Sequence, residues 1–298
     1  MSDLRDLVAE ELSRPVDPRV EAVAQAIAAK HGDASQAVLF YGSCLREKQL
    51  DGLMLDFYLI VSDYRAAYAK RWLAVANRLI PPNVFYVEHD GLAAKYAVLS
   101  EDQFRRECDV SARTSSVFAR FAQPSRLVWA ADDRARTMAV DAVSRAAPAL
   151  LELTRPTMTD DEARNPLDIW RKAFRLTFGA ELRAERKSRP EAIIDADPER
   201  YGRFASAAGF PRDVGITAND QREIYEKAWR GFQRRGKRAS VLRLAKASFT
   251  FAGGADYIAW KINRHAGTNI ELKPWQRRHP LLAAISLLPR LLRSGAVR

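Results

Sequence analysis

Residues 37–43, AVLFYGS, and residues 53–61, LMLDFYLIV, decide how this chain is read. The first is a short apolar run rich in strand formers, and it stops on Gly42-Ser43. An unbroken apolar run of this length predicts a strand buried on both faces. The second is a longer run of the same kind with one charge inside it, Asp56. Burying an unpaired carboxylate costs on the order of several kcal/mol, so such a residue is expected to be paired or to bind a metal ion. Between the two runs, residues 44–52 are polar and close on Asp51-Gly52, a turn signal.

Working outward, residues 3–31 carry apolar side chains at helical spacing, interrupted by Pro15 and Pro18 and ended by Gly32. Residues 64–79 return to that spacing through Tyr68, Trp72, Val75, Ala76 and Leu79, and Pro81-Pro82-Asn83 stops them. Residues 84–88 and 94–99 read as a strand pair around His89-Asp90-Gly91. Residues 101–121 read as a helix and 124–130 as a last strand. Helices alternating with short buried strands predict an α/β (α+β) sheet domain over 1–135. From 136 to 298 the pattern is long, Arg-rich and helical over 136–153, 160–187 and 219–248, which predicts a second, mainly helical basic domain.

Charge follows the same division. The chain of 298 residues has a formal net charge of +11. Residues 1–135 hold 17 basic and 19 acidic side chains, and the remainder 31 and 18. After residue 211 the excess is 18 against 6, which predicts an anionic partner for the C-terminal part, either nucleic acid or a membrane surface. The composition is 47% hydrophobic and 29% charged, which excludes collagen, low-complexity and disulfide-scaffold classes. Cys44 and Cys108, with an N-terminus that is acidic from the start and lacks an apolar core, point to a cytoplasmic protein. No stretch is apolar for long enough to span a bilayer, so any membrane contact is expected to be peripheral.

Gly42-Ser43 at a strand end, a short polar connection, and an acid inside the next strand together resemble the nucleotidyltransferase superfamily of the polymerase-β type. That resemblance implies roles. Gly42 would let the backbone approach a nucleotide phosphate. The Ser43 hydroxyl and the N–H groups after it would bind the triphosphate. Asp56 would hold Mg²⁺. The superfamily places two acids two residues apart on that strand, whereas Met54 and Tyr58 flank Asp56 here. Asp51, Asp63 and Glu88 are the candidates for a second catalytic or metal-ligating carboxylate. Asp63 reads equally as the N-cap of a helix over 64–79.

The order YGS, LDFYLIVSD, KYAVLS and RLVWA resembles, more narrowly, the mitochondrial-type CTP:phosphatidate cytidylyltransferases, the peripheral CDP-diacylglycerol synthases of the translocator assembly and maintenance type. Tyr41, Gly42, Ser43, Asp56, Asp63, Lys95 and Tyr96 fall on that pattern, within residues 37–130, while Ala97 stands where the family has Gly. The resemblance implies CTP as donor, phosphatidate as acceptor and pyrophosphate as leaving group. It also implies nucleotide contacts from Tyr41, Gly42, Ser43 and Lys95. Lys95 reads alternatively as a strand-edge lysine that discourages aggregation.

The C-terminal part suits a lipid acceptor. Residues 281–288 are apolar, with Arg277 and Arg278 before them and Arg290 and Arg293 after, a pattern for lying in a membrane interface. An amphipathic helix packed on the core has the same signature. The basic run at 230–238 and the segment 251–267 bring no chemistry of their own beyond phosphate contacts. The four histidines show no metal-ligand spacing, and there is no Walker A or Gly-x-Ser-x-Gly loop. Two other readings stand beside the lipid one: the same chemistry on RNA or a small-molecule acceptor, and a nucleotide-binding module without catalysis.

Overall fold

A computed structural model describes residues 2–47, 50, 52–179, 190–210, 219–250 and 271–278. Five strands form one mixed sheet in the order β3-β4-β2-β1-β5. They are β1 (Ser35–Tyr41), β2 (Met54–Val61), β3 (Asn83–His89), β4 (Leu92–Ser100) and β5 (Ser125–Ala130). β1 runs antiparallel to β2 and β5, β3 antiparallel to β4, and β2 parallel to β4.

The sheet is covered on both faces, which is why β1 and β2 read as continuous apolar runs rather than alternating ones. On one face Leu55, Phe57, Leu59 and Val61 pack with Val38, Phe40 and residues of helix α2 (Pro18–Ala29). On the other, Leu39, Tyr58, Ile60 and Leu99 join the helices of the C-terminal part in one core. α1 (Ser2–Ser13) lies over β5. α2 starts on a capping Asp17, whose side chain accepts from Arg19 N, with Pro18 in the first turn.

Short elements join the strands. α3 (Ser43–Glu47) follows β1 at once. The helix expected over 64–79 divides into α4 (Tyr64–Ala67) and α5 (Arg71–Leu79), because the backbone turns extended at Tyr68. The helix expected over 101–121 also divides, into α6 (Glu101–Glu107) and α7 (Phe118–Phe121). Cys108 caps α6, and Asp109 bonds the Ser111 N–H in a turn at 3.0 Å.

After β5 come α8 (Asp133–Val143), α9 (Ala146–Thr154), α10 (Pro166–Phe178), α11 (Pro190–Asp195), α12 (Pro198–Ala207), the long α13 (Asn219–Thr250) and α14 (Pro274–Arg278). The boundary expected at 135 falls inside α8, and α8 packs on β1 and β5. The change at that point is one of secondary structure, and the core runs through it.

A buried ion pair fastens the helices to the sheet. Arg200 of α12 donates from Nη2 to Glu11 Oε1 of α1 at 2.9 Å and from Nε to Glu11 Oε2. Its Nη1 donates to Ala122 O at 3.1 Å, and its guanidinium lies 4.1 Å from the Phe204 ring centroid. Every arm of this buried cation is matched, which is the condition for burying one. Farther on, Arg243 Nε donates to Pro81 O at 2.7 Å and Lys246 Nζ to Pro82 O at 2.8 Å, holding α13 against the α5–β3 connection. Burial, with Arg243 beside it, pushes the Lys246 ammonium down to about 7.

Candidate functional site

The strand register builds one row of side chains across the sheet. Tyr86 pairs with Lys95, Lys95 with Asp56, Asp56 with Tyr41, and Tyr41 with Ser125. Directly paired residues share a sheet face. Because β1 and β2 are antiparallel, the chain leaves β1 at the end where β2 begins. Gly42 and Ser43 are thereby delivered beside Asp56.

The contact at Gly42 is close. Its φ is +102°, a conformation L side chains rarely adopt, and a Cβ built there would stand 3.3 Å from Asp56 Oδ2. Any other residue would be strained and would crowd the carboxylate. Ser43 opens α3 with its side chain exposed.

Asp56 is not left alone. Lys95 Nζ stands 3.0 Å from Asp56 Oδ1, with the two side chains 29% and 21% exposed. The strand-edge reading of Lys95 is corrected here: β4 lies between β3 and β2, inside the sheet. On the same sheet face Tyr41, Tyr58 and Phe121 form an aromatic cluster, with Tyr58 5.3 Å from both other ring centroids. On the other side of β4, Tyr96 donates toward His31 Nε2 at 3.2 Å, while His31 Nδ1–H donates to Ala67 O at 2.9 Å. Burial raises the Tyr96 phenol and lowers His31, so both are neutral and each has a partner.

The other expected carboxylates are placed differently. Asp63 follows the far end of β2, and its side chain accepts from Arg65 N at 2.7 Å as the N-cap of α4. Seven residues of extended chain carry it roughly 20 Å from Asp56, so it does not join the site. Glu88 lies on β3 in the row of Ala93 and Met54, two strands across and two residues along from Asp56, a separation of about 12 Å. It accepts from Tyr86 Oη at 3.2 Å, and burial with that neighbouring carboxylate raises the Tyr86 phenol. Asp51 lies outside the described residues. So do Arg290, Arg293, the side chains of Arg277 and Arg278, and the segment 251–267.

Tyr86 escaped the sequence reading. Its only signal was the strand-forming run at 84–88, which does not say which strand lies beside it. Among the described residues no group of three His, Cys, Asp or Glu side chains could hold a metal ion. The site offers one carboxylate, with one oxygen on an ammonium and the other against Gly42. One carboxylate could supply a single ligand to magnesium, so such an ion would have to arrive on a triphosphate, with substrate oxygens and water as its other ligands.

No protein-family model matches the chain. No curated protein matches it either. Among solved structures, a nucleotidyltransferase-like protein from Exiguobacterium sibiricum 255-15 is similar over 93% of this chain and 92% of its own, at 11% identity and a TM-score of 0.28. The chemical reading rests on the residues of the site itself.

Among the described residues no helix is long and apolar enough to cross a membrane. Cys44 is buried, with its thiol 3.5 Å from Met54 O. It packs as a small apolar residue in the core on the α2 face of the sheet.

Proposed function

We propose that this protein is a nucleotidyltransferase that passes CMP from CTP to phosphatidate, forming CDP-diacylglycerol and pyrophosphate. The observation that carries the reading is the convergence of Gly42, Asp56 and Lys95. A glycine with positive φ lies against a strand carboxylate, and an ammonium sits on that carboxylate's other oxygen. A backbone bare of Cβ, an exposed hydroxyl and a lysine suit a polyphosphate. A carboxylate that only held the fold would need the cation, but neither the bare glycine nor the exposed hydroxyl.

The chemistry asks little of a general base. The phosphatidate phosphate is already anionic. One of its oxygens attacks the α-phosphorus of CTP, a new P–O bond forms, and the bond from the α-phosphorus to the pyrophosphate oxygen breaks. Positioning and charge neutralisation supply most of the rate. Lys95 moves from Asp56 toward the phosphates as they arrive, and Asp56 is then free on both oxygens. Mg²⁺ held by Asp56 and the triphosphate would neutralise charge on the leaving group. Gly42 and Ser43 hold the phosphate chain, and Tyr41 supports the donor from the strand end. The acceptor places the protein on the cytoplasmic face of a membrane, with Arg277, Arg278, Arg290 and Arg293 at the lipid phosphates.

Pyrophosphate release tests this reading. Each of the four nucleoside triphosphates is supplied with Mg²⁺, with and without phosphatidate in mixed micelles. Release confined to CTP plus phosphatidate is expected. Release with another triphosphate, or with RNA in place of lipid, would replace the substrates and keep the chemistry. A second reading follows from Lys95 itself: an ammonium on Asp56 suits a module that binds nucleotide without turning it over. Nucleotide binding without pyrophosphate release, whatever the acceptor, would establish it.

A further inference from the structure

The outer face of α5 is apolar and uncovered among the described residues. Trp72, Val75 and Leu79 recur at helical spacing and are 47%, 57% and 74% exposed. The helix is not turned outward by fraying, since its inner side is fixed by buried contacts. Asn77 Nδ2 donates to Val98 O and to Tyr68 Oη, each at 2.9 Å, and Asn77 Oδ1 accepts from Asn83 N. Burying Asn77 against the sheet forces Trp72, Val75 and Leu79 into solvent.

An open groove of about 690 Å³ runs along this face, lined among others by Arg65, Tyr68, Arg71, Val75, Arg78 and Leu79. Residues 64–80 hold four basic side chains, Arg65, Lys70, Arg71 and Arg78, and no acidic one. None of the four forms an ion pair among the described residues. Beyond the groove, the exposed Val241 and Leu242 precede Arg243, which binds the carbonyl of Pro81 just after α5. The apolar surface is therefore rimmed by cations and borders the basic α13.

We propose that the α4–α5 face is a docking surface for an anionic phospholipid bilayer. Charge selects the occupant. A second copy docking through the same face would set Arg71 and Arg78 against their own counterparts. Residues 280–298 hold three arginines and no acidic side chain, so they repeat the charge of this face. An anionic bilayer satisfies both halves of the surface: headgroup phosphates take the arginines, while Trp72, Val75 and Leu79 enter the boundary with the acyl chains. Trp is the side chain best suited to that boundary. A nucleic acid would take the arginines and leave Val75 and Leu79 in water. This surface is separate from Asp56 and does not depend on the proposed reaction.

Two variants of the full chain test it, Val75→Ser/Leu79→Ser and Arg71→Gln/Arg78→Gln. Both change exposed side chains, and circular dichroism confirms their fold. The probe is co-sedimentation with vesicles of equimolar phosphatidylglycerol and phosphatidylcholine, beside vesicles of phosphatidylcholine alone. The chain is expected to bind the anionic vesicles preferentially. The apolar variant should weaken that binding by roughly tenfold, and each lost arginine by about fivefold. Quenching by brominated lipid, lost in Trp72→Phe, should place that ring in the bilayer. Wild-type sedimentation by both variants would overturn the proposal. So would quenching unchanged in Trp72→Phe, or RNA binding that falls in the arginine variant while vesicle binding holds. Turnover in detergent micelles separates this from the proposed reaction. The α5 variants should keep it, and its absence in the wild type would strike the catalytic reading alone.

Discussion

Lys95 reaches the Asp56 carboxylate at 3.0 Å from the neighbouring parallel strand, inside the sheet. Both side chains are more than two-thirds buried, so the pair lies between a surface and a buried one. Lys95→Met leaves a largely buried carboxylate without its partner and should cost about 1–3 kcal/mol of unfolding free energy in urea. It should lower kcat/KM for nucleotidyl transfer by roughly tenfold or more, through lost charge neutralisation. A large loss of stability with unaltered kinetics would make the pair structural.

Gly42 meets the same carboxylate from the other side. Gly42→Ala places a Cβ 3.3 Å from Asp56 Oδ2 at a φ of +102°. The strain should cost about 1–3 kcal/mol. Nucleotide binding should fall along with it, since the displaced carboxylate is the one that faces the phosphates. Urea denaturation and nucleotide titration check the two effects separately.

His31 gives the fold a pH dependence. Burial lowers its folded-state value below the ordinary 6.5. The unfolded chain then binds more protons as pH falls through that range, so stability declines on acidification below about pH 6.5. Above that value the His31 contribution is complete. His31→Gln keeps a donor and an acceptor but does not titrate. The difference in unfolding free energy between neutral and mildly acidic buffer should shrink in that variant.

Glu11 and Arg200 hold α1 to α12 with both charges buried. Arg200→Met leaves a buried carboxylate without its partner and should cost about 3–5 kcal/mol. Adding Glu11→Gln should recover part of that loss. A double variant as unstable as the single one would show that the Arg200 contacts to Ala122 and Phe204, and not the charge pair, carry the effect.

Asp56 was legible because it is the one charge in an apolar run, and Gly42-Ser43 because the first run stops on it. The partnership with Lys95 was not legible. It depends on β3 and β4 forming a hairpin and then inserting β4 beside β2, and a local pattern holds no record of a parallel register between segments 39 residues apart. Asp63 illustrates a second limit. An acid between a strand and a helix carries the same local signal as a ligand and as an N-cap, and only the tertiary fold shows that it lies at the far end of β2 from Gly42. Trp72, Val75 and Leu79 show a third. Their spacing correctly predicted a helix, but periodicity identifies a face without saying what it faces, and here buried Asn77 turns that face to solvent.

The most direct test of the account follows the nucleotide itself. CTP labelled at the α-phosphate is incubated with Mg²⁺, phosphatidate in mixed micelles, and either the wild-type chain or Asp56→Asn, and the lipid fraction is then separated by chromatography. Label is expected in a lipid product with the wild type, with a loss of roughly a hundredfold or more with Asp56→Asn. Label that never enters lipid, or that enters it equally with Asp56→Asn, would contradict it.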